Sequence, residues 1–271
     1  AGEGSFNSNS RFPFGIQNGY KKEDGRMPKF NLPQRWSKDL GQALGWLVGD
    51  GWIRGKDENC RVCFTFSQED KPVFEYLKPI INNFYGYNIK EILRENNVYH
   101  LSYHSKYFVE FFKCLGVKAW QSEQKDVPEL IYTAPKEAVI GFLQGLFTAD
   151  GTVGIQETNN TTYIRLTAKS LKLLKGVQLL LINLGIFSRI YNRSRPPRQG
   201  FYYTNTKGES RTYLLDGICY ELQISRDNVK RFIEVVGFLC GKNENKLKIL
   251  SQHNFYTPRP ENRALQGADE F

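Results

Sequence analysis

The sequence predicts an α+β protein made of two pseudo-symmetric halves, each with the element order αββαββα and antiparallel strands. Two observations support this prediction. An apolar run that ends in Asp-Gly occurs at residues 43–51 and again at 143–151. The order of strands and helices predicted after the first run is repeated after the second. We therefore expect an internal duplication, in which the two motif helices pack together where the halves meet.

Each motif places small residues one helical turn apart on one face of a helix. Gly45 and Gly49 have this spacing in the first motif, and Gly145 and Ala149 have it in the second. Such a stripe lets two helix backbones approach closely. A glycine inside a helix costs about 1 kcal/mol relative to alanine, and close packing of the two helices would offset this cost.

An aspartate stands at the predicted end of each motif helix. Gly51 and Gly151 suit the position after a helix, so Asp50 and Asp150 are the last helical residues. Acidic residues are unfavourable there, because the C-terminus of a helix carries partial negative charge. If the helices pack in parallel, the two carboxylates meet and either share a proton or bind a divalent cation. Oxygen ligands of this kind favour Mg²⁺.

Hydrophobic alternation and turn residues predict the other elements of the first half. Asn96-Asn97 is a hairpin signal. The motif helix is followed by strands at 51–54 and 61–67, a helix at 70–85, strands at 88–95 and 98–104 and a helix at 105–115.

The second half repeats this order. The spacing also repeats, because Tyr99 precedes Gly116 by the same 17 positions that separate Tyr220 from Gly237. About 21 additional residues fall between 193 and 213. The predicted elements are strands at 152–156 and 161–166, a helix at 169–184, strands at 186–193 and 213–225 and a helix at 227–236.

These elements divide the chain into four parts. They are an N-terminal arm at 1–37, a first half at 38–128, a second half at 129–250 and a C-terminal tail at 251–271. The arm is rich in glycine, serine, asparagine, proline and charged residues, so we expect an extended segment.

The composition favours a polyanionic partner. The 271 residues include 37 Lys and Arg against 28 Asp and Glu, for a net charge of +9. The sequence contains neither an apolar run long enough to cross a membrane nor a secretion signal. Five irregularly spaced cysteines predict a reduced intracellular protein that is not secreted. A bacterial cytoplasm or an organelle matrix would meet these conditions.

Side chains on the sheet faces that point away from the helices form a candidate nucleic-acid surface. Val62, Phe64 and Phe66 alternate and are predicted to face the helices, so their neighbours, including Cys63, point outward. Mixed Arg, His, Gln, Ser and Thr side chains can read base edges, although a solvated sheet face would have a similar composition. The candidates are Arg54, Lys56, Arg61, Thr65, His100, Ser102, His104, Tyr163, Arg165, Arg189, Tyr191, Arg193, Glu221 and Gln223.

The additional residues of the second half combine basic and aromatic side chains, which fits a hairpin extension that contacts DNA. An ordinary solvated loop is the alternative. The basic candidates are Arg193, Arg195, Arg198, Lys207 and Arg211.

The two motifs resemble those of the LAGLIDADG family of homing endonucleases and maturases. The resemblance is close at residues 145–151 and looser in the first motif, where Trp46 and Val48 replace commoner residues. In addition, Lys125-Asp126-Val127-Pro128 resembles the Lys-x-Ile/Val-Pro block that precedes the second motif in intein-type members. The resemblance covers about residues 38–250.

This resemblance implies a monomeric, site-specific endonuclease with saddle-shaped sheets that bind double-stranded DNA at a long, pseudo-palindromic target. The product would be a double-strand break with short 3′ overhangs. Mg²⁺, with Mn²⁺ as a substitute, would be bound by Asp50, Asp150 and the backbone carbonyls of Gly49 and Ala149.

The resemblance also implies a basic residue beside the metal ions. We assign this role to Lys125, which matches the family block. Lys246 lies at the repeat-equivalent position, and Lys242 competes with it. Gln68 resembles a polar residue that positions water in some members, whereas the matching place in the second half holds Ala168 or Lys169.

Two alternatives use the same scaffold. One is a maturase that binds intron RNA, and the other is an inactive DNA-binding relative. The intact aspartates argue against both, because neither role needs a metal there. The Lys-Pro block favours an intein origin. However, the chain does not begin with Cys or Ser, and His253-Asn254 is followed by Phe255. We therefore expect no self-splicing, and three origins stay open: the nuclease portion of an intein, an intron-encoded protein and a free-standing protein.

Overall fold

The computed structural model describes most of the chain. The described residues are 4–16, 30–55, 59–94, 97–156, 161–197, 202–204, 210–212, 217–240 and 247. The predicted tail at 251–271, with His253-Asn254, lies outside them.

The described elements fall into two series joined by a connection with two short 3₁₀ helices at Ser122–Gln124 and Glu129–Thr133. The first series consists of α1 (Lys38–Asp50), β1 (Gly51–Arg54), β2 (Arg61–Phe66), α2 (Lys71–Tyr85), β3 (Ile92–Leu93), β4 (Tyr99–Tyr103) and α3 (Lys106–Cys114). The second consists of α4 (Lys136–Asp150), β5 (Gly151–Gln156), β6 (Thr161–Ala168), α5 (Leu171–Asn183), β7 (Arg189–Asn192), β8 (Tyr202–Thr204), β9 (Ser210–Thr212), β10 (Tyr220–Ser225) and α6 (Asp227–Val235).

The predicted fold class is confirmed. Each half has the order αββαββα and one antiparallel sheet of four strands. The strand orders are β1-β2-β4-β3 and β5-β6-β10-β7. The pair β8–β9 lies in the second half, within the range where the additional residues were predicted.

Two strands are shorter than predicted because their flanking residues bond to helices. The amide of Ile89 donates to the side chain of Asn82 in α2 (3.3 Å). This bond keeps Ile89, which precedes β3, from pairing with a strand of the sheet. The amide of Ile186 donates to Leu181 (2.9 Å) and closes the end of α5, where Gly185 has a positive φ of 71°. Residues that complete a helix end in this way are not available to a strand ladder.

Helices α1 and α4 run in parallel with their backbones in contact. A Cβ added at Gly45 would overlap the carbonyl oxygen of Phe142, and one added at Gly145 would overlap that of Gln42. The stripes are longer than predicted, since Gly41 and Gly141 meet the opposite backbone in the same way. The glycine stripes therefore let the backbones of α1 and α4 come closer together than any residue with a side chain would allow.

The glycines after the motif helices are required for a different reason than predicted. Gly51 (φ −137°) and Gly151 (φ −81°) are extended and lead directly into β1 and β5. A left-handed conformation is therefore not what selects glycine there. A Cβ at Gly51 would lie 2.7 Å from Leu47 Cδ1 and 2.9 Å from the carbonyl oxygen of Cys63, so close packing selects it.

The core of the first half is built on aromatic side chains. Trp46, which departs from the family pattern, stacks on Phe66 with ring centroids 4.9 Å apart. Its indole N–H donates to the carbonyl of Thr65 (3.0 Å), so the buried ring has a hydrogen-bond partner. The described part of the N-terminal arm contacts both halves, because Phe12 contacts Phe111 of α3 and the amide of Gly4 donates to the carbonyl of Asn183 at the end of α5 (2.8 Å).

Among the described residues, no helix combines the length and the apolar character needed to cross a bilayer.

We predict that Gly45→Ala destabilises the protein although alanine is the better helix former. The propensity gain is about 1 kcal/mol, whereas forcing the two backbones apart costs at least about 2 kcal/mol. Urea unfolding measures the difference. Gly15→Ala is the control, because nothing lies within 4 Å of the added Cβ, and its effect should stay within about 0.5 kcal/mol. Unchanged or increased stability of Gly45→Ala would show that the backbones are not in contact.

Candidate active site and nucleic-acid surface

Asp50 and Asp150 lie at the same end of the parallel helix pair. A Cβ built at Gly49 would be 2.6 Å from the Cβ of Ala149 and 3.4 Å from Asp150 Oδ2. The last turns of the two helices are therefore in direct contact, and both aspartates are half-buried. Neither last turn contains a basic residue, so two helix C-termini and two acidic side chains concentrate negative potential at this point.

Lys125 reaches this point from the connection between the halves. Its ammonium donates a hydrogen bond to the carbonyl of Gly49. Its own carbonyl accepts from Ser170 Oγ (2.6 Å), and this hydroxyl also caps α5 by accepting from the amide of Leu173 (3.2 Å). The backbone of Lys125 is therefore bound to the second half, while its ammonium group contacts the first half.

The donor set fits a hard divalent cation. The candidate ligands are carboxylate and backbone carbonyl oxygens, which Mg²⁺ prefers. The carbonyl oxygen of Gly49 already faces a positive charge, because it accepts a hydrogen bond from the Lys125 ammonium. Within the described ranges, no group of three or more His, Cys, Asp and Glu side chains is placed to hold a metal ion.

In the second half, the segment that leads to the predicted Lys242 and Lys246 is hydrogen-bonded to α4 near Asp150. Thr148 is fully buried, and its hydroxyl donates to the carbonyl of Gln144 (2.7 Å) and accepts from the amide of Leu239 (2.8 Å). The chain is therefore bound to α4 just before the predicted Lys242 and Lys246, which lie outside the described residues.

Gln68 begins a single turn of 3₁₀ helix directly after β2 and is exposed. The turn is fixed by the buried Asp70, whose Oδ2 accepts from the amide (3.0 Å) and the hydroxyl (2.5 Å) of Ser67. At the equivalent place in the second half, Ala168 ends β6 and Lys169 is exposed.

Strand register places the first-half candidates on the sheet face opposite the helices. Arg54 pairs with Arg61, and Thr65 pairs with His100, whereas Val62, Phe64 and Phe66 are fully buried on the other face. His104 follows the end of β4 and is exposed. Lys56 lies outside the described residues.

Two side chains of this face are less accessible than predicted. Cys63 is fully buried and Ser102 is 8% exposed, since the two pair across β2 and β4 and the Ser102 hydroxyl donates to Cys63 Sγ (3.4 Å). Burial raises the pKa of the Cys63 thiol. Beside them, the Arg61 guanidinium lies 4.9 Å from the ring centroid of Trp52.

In the second half, Arg165 pairs with Gln223, which pairs with Arg189 on its other side. Glu221 and Tyr191 are likewise paired. The residues that register places on this outer face are Tyr163, Arg165, Arg189, Tyr191, Glu221 and Gln223.

A charged network connects several of these side chains. Glu221 is 8% exposed, and its two carboxylate oxygens contact Arg165 Nη1 (3.5 Å) and Arg193 Nη2 (3.3 Å) separately. Each arginine also lies over a tyrosine ring, Arg165 over Tyr163 at 3.8 Å and Arg193 over Tyr191 at 4.9 Å. This network joins side chains of β6 and β10 to Arg193, which follows β7.

The remaining basic candidates lie beyond β7. The amide of Arg195 donates to the carbonyl of Gly217 (2.9 Å), which extends the pairing of β7 and β10 beyond the ends of these strands. The side chain of Arg195 is exposed. Arg211 belongs to β9, but its side chain is not among the described groups. Arg198 and Lys207 lie outside the described residues.

Sequence reasoning missed Trp52 and Ser170. Ser170 had a readable signal, because a serine directly before an apolar helical pattern is typical of an N-cap. Its bond to the carbonyl of Lys125, 45 residues earlier, had no local signal.

Comparison with known proteins agrees with the predicted resemblance. Residues 137–237 match the family described as a LAGLIDADG-like domain. A DNA polymerase of Thermococcus hydrothermalis is 27% identical over 212 residues, which cover 77% of this chain and 12% of the polymerase. A probable translation initiation factor IF-2 of Methanocaldococcus jannaschii is 26% identical over 205 residues, or 73% of this chain and 16% of the factor.

Ribonucleoside-diphosphate reductase NrdEB subunit alpha of Bacillus subtilis is 26% identical over 223 residues, or 72% of this chain and 20% of the subunit. The chain thus spans a fifth or less of the length of these curated relatives. Similar solved structures include a mesophilic variant of the homing endonuclease I-DmoI, with 21% identity and a TM-score of 0.47, covering 73% of this chain and 95% of that one. Full-length DUF199/WhiA from Thermatoga maritima has 15% identity and a TM-score of 0.45, and the match covers 79% of this chain and 60% of that one.

We predict that His100 titrates below the ordinary histidine pKa of about 6.5. Burial lowers the pKa of His100, and the charges of Arg94 and Arg61 lower it further. Folding therefore favours the neutral form, and the contribution of His100 to stability falls as the pH drops below about 6.5. An NMR titration, assigned with His100→Gln, measures the pKa. Arg94→Gln should raise it, and a pKa above 6.5 in the unmodified protein would contradict this account.

Proposed function

We propose that this chain, a member of the LAGLIDADG family built from two halves of one fold, is a site-specific DNA endonuclease. The observation that supports the proposal is the contact between the last turns of α1 and α4, at whose shared end Asp50 and Asp150 lie. Two carboxylates at the joined ends of two helices are electrostatically unfavourable. A divalent cation held by these carboxylates would offset this penalty.

Asp50 and Asp150 would hold Mg²⁺ together with the carbonyls of Gly49 and Ala149. Mg²⁺ bound there would supply Lewis-acid activation of water and stabilise charge on the phosphodiester. Mn²⁺ has similar ligand preferences and would substitute for Mg²⁺.

Lys125 would neutralise charge that develops on the phosphate. Its ammonium already lies at the Gly49 carbonyl, and Ser170 holds its backbone (2.6 Å). A charge fixed in position before the reaction stabilises the transition state without reorganisation. Lys246 or Lys242 would act equivalently beside Asp150, since the chain that leads to them is bound at Thr148.

The geometry suits a duplex with two nearby cuts. The sheets of the two halves would lie along the DNA on either side of the helix pair, and their outer side chains would contact base edges in the major groove. Two reacting phosphates near one helix pair would give breaks close together on opposite strands, with short 3′ overhangs. Both motif helices belong to one chain, so a monomer would suffice for a long, pseudo-palindromic target.

The matched relatives support a function independent of their remaining sequence. Similar segments occur in proteins described as a DNA polymerase, an initiation factor and a reductase subunit. A segment shared by proteins with such different names does not serve the chemistry of any one of them. We therefore propose an origin as the nuclease portion of an inserted element.

Cleavage of a randomised duplex library in Mg²⁺, with sequencing of the cut ends, tests the proposal. We predict one family of long sites with paired, staggered cuts. Asp50→Asn and Asp150→Asn should each reduce double-strand cleavage by at least about 100-fold or leave only nicking. Unchanged cleavage in either variant would contradict the assigned roles.

Asp39→Asn and Glu137→Gln are the matched controls, because each removes an exposed carboxylate from the opposite end of the same helix. Both controls should cleave like the unmodified protein. No cleavage under any metal, together with tight binding to a structured intron RNA, would establish the maturase instead.

A further inference from the structure

We infer that Glu221 is a positioning residue that holds Arg165 and Arg193 ready to read two guanines in the half of the DNA target bound by the second sheet. The inference rests on the proposed function and adds a specificity determinant to it. It assigns Glu221 a role distinct from that of a base-contacting side chain.

Both carboxylate oxygens of Glu221 are already engaged. One contacts Arg165 Nη1 and the other contacts Arg193 Nη2, at 3.5 and 3.3 Å, and the side chain is only 10% exposed. A glutamate that reads DNA accepts a hydrogen bond from cytosine N4, which requires an accessible oxygen. Glu221 therefore acts through the arginines.

The arginines keep donors for a ligand. A guanidinium has five N–H groups in a rigid plane, and each arginine gives one nitrogen to Glu221. The side chain of Arg165 is 34% exposed and that of Arg193 is 51% exposed, so both remain accessible to a ligand. Stacking over Tyr163 at 3.8 Å and over Tyr191 at 4.9 Å restricts the two planes. An arginine restricted in this way loses little entropy when it binds guanine O6 and N7.

The described residues of the first half do not show this arrangement. The strand registers pair Trp52 with Cys63 and Thr152 with Arg165, directly after the motif glycines. Cys63 therefore stands where the second half has Arg165. By the same comparison His100, which pairs with Thr65, stands where Glu221 pairs with Thr167. The two halves of the target should differ accordingly, with the guanine at the Arg165 position required only in the second half.

The test is selection of duplexes from a randomised library in Ca²⁺, scored base pair by base pair. Unmodified protein should prefer guanine at two positions under the second sheet by about 10-fold or more. Glu221→Gln should reduce both preferences at least about 5-fold. Non-specific affinity should rise, since the variant gains net positive charge and its salt dependence should steepen. A purely structural loss would lower specific and non-specific affinity together.

Arg165→Lys and Arg193→Lys keep the charge but lose the planar fork. Each should abolish the guanine preference at one position, which keeps the test decisive if Glu221→Gln does not fold. Glu234→Gln is the matched control, because this exposed glutamate pairs only with Lys230 of the same helix among the described ion pairs. Glu234→Gln should select like the unmodified protein.

The outcomes separate the inference from the proposed function. Selection of no DNA sequence by the unmodified protein would remove the proposed function. Selection of a defined sequence with no guanine at either position would overturn the role of the arginines. Unchanged discrimination by folded Glu221→Gln would overturn the role of Glu221 alone.

Discussion

The backbone-to-backbone contact between α1 and α4 is the constraint on which the rest of the structure depends. It requires glycine at the points of contact, where an added Cβ at Gly45 or Gly145 would overlap an opposite carbonyl. Because the helices run in parallel, the same contact places Asp50 and Asp150 at the same end of the helix pair. The contact therefore determines both how the halves pack and at which end of the pair the two aspartates lie.

The connection between the halves adds a second link across the interface. Lys125 donates to Gly49 in the first half, and Ser170 of the second half holds its carbonyl. Gln42 and Gln144 also bond to each other across the helix pair at 2.6 Å. These polar contacts lie between two apolar faces, where an unpaired polar group would be costly, so they favour one alignment of the helices.

Repetition made the fold predictable from sequence. A single Asp-Gly after an apolar run is a weak signal, but two runs with matching small residues predicted the helix pair. The repeated pattern of strands and helices after each run predicted the αββαββα order. The alternation of Val62, Phe64 and Phe66 similarly predicted which face of the first sheet is buried. The reason for glycine at position 51 could not be predicted in full, since one of the atoms that exclude a Cβ there is the carbonyl oxygen of Cys63 on a neighbouring strand.

The candidate site was predictable where it depends on the motifs and not where it depends on tertiary pairing. Glu221 appeared in the sequence as one outward side chain among many. Its position between Arg165 and Arg193 results from the pairing of β6, β10 and β7, which brings together residues up to 56 positions apart. The burial of Cys63 also follows from such pairing.

The central claim is that two aspartates a hundred residues apart share one cation site. Replacing Mg²⁺ with Fe²⁺ and generating hydroxyl radicals cuts a protein chain near its bound ion, and this measurement does not depend on DNA cleavage. The account predicts cuts near residues 50 and 150 together, both weakened by Asp50→Asn alone and by Asp150→Asn alone. Cuts at only one of the two places, or cuts near residue 150 that persist unchanged in Asp50→Asn, would contradict it.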